Sequence, residues 1–158
     1  SCRIRCFEPD DRDWLVEQHR VLYAASDGFD AGFGELVSRI IDGFLAGFDP
    51  AYEAGWVLED QGHRLGTIFC FRENDLTARL RLFFLLPEVR GKGYGKLLLQ
   101  HCTAFARERG YRGMMLWTHE SQRAACALYE ASGWTLIASN STRSFGQGVV
   151  EQRWEYRF

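Results

Sequence analysis

The sequence predicts an α/β protein, one mixed sheet with helices on both faces, built as a single domain over residues 1–158. Runs of strand length and stretches of helical periodicity follow in the order β-α-α-β-β-β-α-β-α-β-β. No internal repeat and no low-complexity linker divides that order. With 46% hydrophobic and 25% charged residues, the 158-residue chain has the balance of a globular domain with a substantial core.

Each element has its own signal. Ile4 between Arg3 and Arg5 marks a short edge strand over 2–7. "EPDDRD" then supplies a proline and a capping aspartate, and Trp14, Leu15, Gln18, Val21, Leu22 and Ala25 recur at helical spacing. "SDGFDAGFGE" reads as a break, after which Leu36, Ile40, Ile41, Phe44 and Phe48 line one side of a helix over 35–48. Three strand-like runs follow, "GWVLED", "HRLGTIFCFRE" and "TARLRLFFLL", separated by Gln61-Gly62 and Asn74-Asp75. The third alternates at Leu80 and Leu82 and is wholly apolar from Leu82 to Leu86, which predicts an end buried on both sides. "KLLLQHCTAFARERG" is an amphipathic helix with Leu98, Cys102, Phe105 and Ala106 on one face. "GMMLWTH" is a buried strand, "SQRAACALYEAS" a helix ended by Gly133, "WTLIAS" a strand, and "VVEQRWEYRF" the last strand.

Composition excludes several roles. Nineteen basic and 21 acidic residues give a net charge of −2, without the basic excess that nucleic-acid binding calls for. No apolar run reaches the roughly 18 residues of a membrane helix. "SCRIRCFEPDDRD" is too charged for a secretory signal. Five cysteines without a C-x-x-C pair read as reduced thiols in a cytoplasmic protein, and four scattered histidines do not make a metal site.

The stretch "LLPEVRGKGYGKLLL" sets Gly91, Gly93 and Gly95 beside Arg90 and Lys92 where a strand hands over to a helix. Glycine permits positive φ and close approach of a ligand, and the amides of a helix N-terminus attract anions. Together they predict a phosphate or pyrophosphate cradle. A Walker loop does not fit, because Leu97 follows Lys96 where Ser or Thr is needed. The dinucleotide fingerprint fails as well, since Lys96 stands where its third glycine belongs.

What does fit is R-x-x-G-x-G at Arg90, Gly93 and Gly95. Downstream, "AACALYEASGW" matches A-x-x-L-Y-E-x-x-G-[FW] at Ala125, Leu128, Tyr129, Glu130, Gly133 and Trp134. These blocks, with their order and separation, resemble the GNAT acetyltransferase superfamily over nearly the whole chain. "GFDAGFGELV", "FDPAYEAGWVLE" and "RSFGQGVVEQRWEYRF" further resemble the GNAT module found fused behind MarR-type DNA-binding domains.

The resemblance implies a central, mostly antiparallel twisted sheet and an enzyme that moves the acetyl group of acetyl-CoA to a primary amine. No metal is required. It implies that Arg90, Gly91, Lys92, Gly93, Tyr94 and Gly95 hold the pyrophosphate. Backbone groups near Phe84, Leu85 and Leu86 pair with the pantetheine arm, and one amide there polarises the thioester carbonyl. Tyr129 is the implied general acid for the departing thiolate. Gln122 stands where many relatives carry Asn and is a further cofactor contact. The general base stays open among Glu73, Glu120, His119 and a water chain, while Glu88 is expected to face solvent.

The resemblance also places the acceptor between the first two helices and the tail, where Tyr23, Phe29, Phe33, Trp117, Phe145 and Ser144 are candidate lining residues. Arg79 and Arg81 share one face of their strand. Facing the cleft, they would recognise a carboxylate on the acceptor; facing water, they would only interrupt an edge. The acceptor is a small molecule or a protein amine, and a homodimer is compatible with the sequence. A non-catalytic acyl-CoA-sensing or dimerisation module of a regulator is the alternative, and a nucleotide-binding protein unrelated to acyl-CoA is a third reading.

Overall fold

A computed structural model describes residues Ser1–Phe158. The chain runs through β1 (Cys2–Cys6), α1 (Arg12–Asp27), α2 (Gly32–Gly47), β2 (Ala54–Asp60), β3 (His63–Arg72) and β4 (Thr77–Leu85). It continues through α3 (Tyr94–Glu108), β5 (Gly113–His119), α4 (Arg123–Ala131), β6 (Thr135–Ser144) and β7 (Gln147–Arg157). All seven strands form one sheet in the order β1-β2-β3-β4-β5-β7-β6. Every neighbouring pair is antiparallel except β4 and β5. No helix is long and apolar enough to cross a membrane.

Strand alternation divides the apolar residues between two faces. On one, Ile68, Cys70, Leu80, Leu116 and Trp154 pack against Leu98, Leu99, Cys102 and Ala106 of α3 and Tyr129 of α4. On the other, Val57, Phe69 and Phe84 meet Leu15 of α1 and Val37, Ile41 and Phe44 of α2. Leu15 and Ile41 are fully buried, each contributing about 1.5–3 kcal/mol of apolar transfer free energy.

Near the start of α1, the buried Asp11 carboxylate accepts Arg5 at 2.8 Å, Arg64 Nε at 2.7 Å and the Glu8 N–H at 2.8 Å. Burial raises the Asp11 pKa, but these donors outweigh it and hold the value down at about 2. The site ties β1 and β3 to the entry of α1.

Three expectations need correction. The helix predicted over 35–48 begins at Gly32, so "DAGFGE" is not all break. The chain turns at Gly28, with φ +71°, and Asp30 Oδ1 accepts the Gly32 N–H at 3.0 Å. At Gly34 a β-carbon would lie 3.3 Å from the Arg20 side chain, where α1 and α2 come together. The strand predicted as "WTLIAS" continues to Ser144; its second half is polar and exposed, so apolar alternation does not report it. It closes on β7 through Phe145 and Gly146, whose φ values of 52° and 83° suit a tight hairpin. Finally, the apolar end of β4 is not buried on both sides. Leu82, Phe83 and Leu85 are half-buried and border an opening in the sheet.

Candidate active site

The opening comes from a failure of pairing. β4 and β5 run parallel but are paired only where Thr77, Ala78 and Arg79 meet Gly113, Met114 and Met115. Beyond that point the remainder of β4, to Leu85, and of β5, to His119, diverge. On its other edge β4 stays paired with β3, with one irregularity: Leu82 and Phe83 together oppose Ile68. Leu82 adopts φ +51°, rare for a non-glycine residue, and its carbonyl accepts the Thr67 hydroxyl at 2.9 Å. Such a bulge bends its strand and re-aims the residues after it.

Below the bulge, the backbone groups of β4 divide between its two edges. The Leu86 N–H donates to Leu65 O at 2.9 Å, and the Leu86 carbonyl accepts the Val89 N–H at 3.2 Å. Leu86 therefore has both backbone groups engaged within the protein. In this antiparallel register Phe84 turns its backbone groups to Thr67 of β3, and Leu85 turns its own toward the open edge. The Leu85 carbonyl accepts Arg90 Nε at 3.3 Å, consistent with that direction. Of the three residues expected to border the pantetheine arm, only Leu85 presents its main chain to the cleft.

Arg90 to Gly95 follow, leading from β4 into α3. The Arg90 N–H donates to Pro87 O at 3.3 Å, but those of Gly91, Lys92, Gly93, Tyr94, Gly95 and Lys96 find no acceptor in the protein. The first intrahelical bond of α3 is Leu97 N–H to Gly93 O at 3.1 Å. Gly91 and Gly93 have φ +79° and +84°, and a β-carbon at either would meet no atom within 4 Å, so backbone conformation rather than space requires glycine there. Gly95 differs from expectation. It lies inside α3 without positive φ, and a β-carbon there would sit 3.4 Å from Leu128 and 3.7 Å from Phe83. Its role is close approach of α3 to its neighbours. Arg90 and Lys92 are exposed beside the free amides, and Tyr94 packs its ring against the core. A run of unpaired N–H groups at a helix N-terminus, flanked by two cations, is an anion cradle.

Where the strands diverge lies an open cavity of about 190 Å³, bordered by β4, β5, α1, α2 and α4. Tyr129 reaches it from α4, 3% exposed and with no hydrogen-bond partner for its hydroxyl. Burial pushes its phenol well above the ordinary value of 10, with Tyr23, Cys126 and Cys102 adding to the rise. Gln122, at the start of α4, also lines the cavity and donates Nε2 to Asp27 Oδ2 at 3.4 Å. Tyr23, Phe33 and Trp117 are lining residues, while Phe29 and Phe145 sit behind them, 5.2 and 5.2 Å from the Phe33 ring. Ser144 ends β6 outside the lining.

Of the base candidates, only His119 lines the cavity. Burial lowers its pKa from 6.5, against opposing pulls from Asp27 and Glu151. Glu73 lies 4.0 Å from Arg79, Glu120 belongs to a separate depression with Asp27 and Arg123, and Glu88 is exposed. No Asp or Glu lines the cavity. A second histidine, His19 of α1, was missed by sequence reasoning. It is 3% exposed and lines the cavity, with Nδ1 2.9 Å from Leu15 O. A carbonyl only accepts, so Nδ1 carries the proton and Nε2 the lone pair. Its position four residues after Leu15, on the inward face of an amphipathic helix, was the available signal.

The sequence pattern of the acetyltransferase (GNAT) family matches residues 7–134. Human N-acetyltransferase 8B is 36% identical over 83 residues, 49% of this chain and 37% of that protein. A mycothiol acetyltransferase of Thermomonospora curvata is 30% identical over 137 residues, 85% of this chain and 44% of that protein. The chain therefore spans less than half the length of either relative. A Salmonella typhimurium protein named as an acetyltransferase and solved with its cofactor acetyl-CoA superimposes with a TM-score of 0.76 at 20% identity, covering 99% of this chain and 94% of its own. With its pattern matched across both the glycine loop and the block ending at Trp134, the chain belongs to the acetyltransferase (GNAT) family.

Proposed function

We propose that the chain is a single acetyl-CoA-dependent N-acetyltransferase domain that acylates a primary amine. The unpaired amides of residues 91–96 at the start of α3, together with the cavity that Tyr129 lines, carry this reading. The protein supplies a fitting cradle: backbone donors without acceptors, two exposed cations, and a strand edge free to pair at Leu85. Bound acetyl-CoA supplies an acetyl group already activated as a thioester.

The chain's own residues then divide the work. The amides from Gly91 to Gly95, with Arg90 and Lys92, hold the diphosphate. Leu85 pairs with the pantetheine arm along the open edge of β4, and Gln122 borders it from α4. A main-chain N–H on the open edge of β4 contributes about 3 kcal/mol to stabilising a developing oxyanion. His119 takes the proton of the acceptor amine. Tyr129 keeps its proton on Oη up to high pH and donates it to the departing sulfur.

Thiol release with Tyr129→Phe is the direct test. Loss of the acid lowers kcat by about 100-fold while the Kd for coenzyme A moves less than threefold. Unchanged turnover in this variant would remove Tyr129 from the mechanism.

A second reading has its own support in the absence of any carboxylate from the cavity wall. Tight acyl-CoA binding with no turnover of any amine would make this a sensing module, and the MarR-associated resemblance of residues 28–37, 48–59 and 143–158 favours a regulator as its setting. Whether a MarR-type DNA-binding domain belongs to the natural protein tests that setting. The free state of all five cysteines supports a cytoplasmic location, which fractionation of the native protein tests.

A further inference from the structure

Arg79 and Arg81 both line the cavity, two residues apart on the face of β4 turned toward α2. Both are half-buried, and neither is neutralised in the usual way. Arg79 Nε is buried with no hydrogen-bond partner, and its nearest carboxylate, Glu73, is 4.0 Å from Nη1. Arg81 forms no ion pair; its guanidinium carbon lies 5.2 Å from the centre of the Phe71 ring. Burial and the neighbouring Arg79 charge pull Arg81 down to about 10, so it stays protonated near neutrality. Every other ion-paired arginine in the fold meets a carboxylate at 3.1 Å or closer.

An unpartnered buried donor on a half-buried cation costs free energy that a ligand can recover. The group that satisfies a guanidinium fork most completely is a carboxylate. The same wall repels a second cation. Leu36, Val37 and Ile40 of α2 and Phe33 add an apolar side, and about 190 Å³ is below the 300–1,000 Å³ typical of sites for drug-sized ligands.

We infer that Arg79 and Arg81 form a carboxylate-binding subsite, and that the acceptor is a small primary amine bearing a carboxylate, in the manner of a free amino acid. This rests on the acetyltransferase reading for the role of the cavity, but binding can be read without turnover. The guanidinium charge and fork select the acid, and the apolar wall takes its side chain. Polyamines and lysine-rich peptides are disfavoured.

The test pairs free L-amino acids with their carboxamides, which keep the amine and side chain and lose the anion. In ¹⁵N NMR of the intact chain with coenzyme A present, the acids shift the Nε–Hε resonances of Arg79 and Arg81, and the carboxamides shift them at least tenfold less at equal concentration. In thiol release, at least one acid exceeds its carboxamide by tenfold or more in kcat/KM. Arg81→Gln and Arg79→Gln each raise KM for that acid about tenfold, leave its carboxamide within twofold, and leave the coenzyme A Kd unchanged. Arg81→Lys, which keeps the charge, recovers part of the loss.

Carboxamides or polyamines that bind or react as well as acids overturn the inference while leaving the acetyltransferase reading intact. Acid-specific shifts with no thiol release from any amine support the subsite and overturn the acetyltransferase reading. No acid-induced shift at either arginine overturns the subsite whatever the enzyme does.

Discussion

Tyr129 and His119 border one cavity, and their titrations are displaced in opposite directions. Burial raises the phenol above its ordinary 10, so it remains a proton donor throughout the neutral range. Burial lowers the imidazole from 6.5, so it remains a proton acceptor there. If these are the acid and base, kcat/KM is flat from about pH 7 to pH 9 and falls only as the pH drops through a value below 6.5 and His119 becomes protonated. His119→Gln lowers the plateau by about 100-fold and removes that acidic limb, which pH–rate profiles of the two proteins would reveal. A limb that survives the substitution belongs to another group.

The glycine loop and β4 operate as elements rather than as single side chains. The amides of residues 91–96 lack protein acceptors because α3 starts at Tyr94 and its first bond reaches back only to Gly93. The Leu85 N–H is free because β5 has already diverged, whereas Phe84 and Leu86 are held by β3. Hydrogen exchange with and without coenzyme A separates these classes. Binding slows exchange at residues 91–95 and at Leu85 by tenfold or more, and leaves Leu86 within twofold. Equal protection along the whole of 84–86 would mean that β4 repacks on binding, and the free-edge account would be wrong.

At the scale of the whole molecule, the cavity depends on α1 and α2 staying on the sheet, and a buried histidine couples that packing to pH. His19 has a pKa near 4, because its charged form is desolvated, although its bond to Leu15 O opposes the fall. The unfolded chain takes up a proton at about 6.5, whereas the folded chain resists until about 4. The sign follows from that difference. The stabilisation is complete above 6.5, declines as the pH falls through the window from 6.5 to 4, and amounts to about 3 kcal/mol once lost. Denaturant melts at pH 7 and pH 4 measure it. His19→Phe reduces the difference between the two midpoints, and a difference that persists undiminished assigns the acid sensitivity elsewhere, with Asp11 titrating lower still, near 2.

Legibility from sequence followed the range of the interactions involved. The order of elements was readable because amphipathic periodicity is a local property. The glycine loop was readable because positive φ at Gly91 and Gly93 is a demand each residue meets by itself. Tyr129 was singled out by its match to a family motif and Gln122 by standing where many relatives carry Asn, and both line the cavity. The start of α2 was missed because Gly32 and Gly34 look like breakers until the contact with Arg20 is known. The apolar end of β4 was misread because hydrophobicity alone cannot distinguish a doubly covered strand from a cleft wall.

From the amino-acid order alone came the fold class and the positive-φ glycines of the loop, both encoded in short windows of backbone preference and side-chain spacing, while Tyr129 entered as the candidate acid through a family resemblance. Which faces meet was settled by long-range packing. The face of β4 that carries Arg79 and Arg81 becomes a cavity wall because β5 pairs with β4 no further than Arg79, and the packing of α1 brings His19 to the same cavity. Those placements depend on register and on contacts between residues far apart in the chain, and no local pattern specifies them.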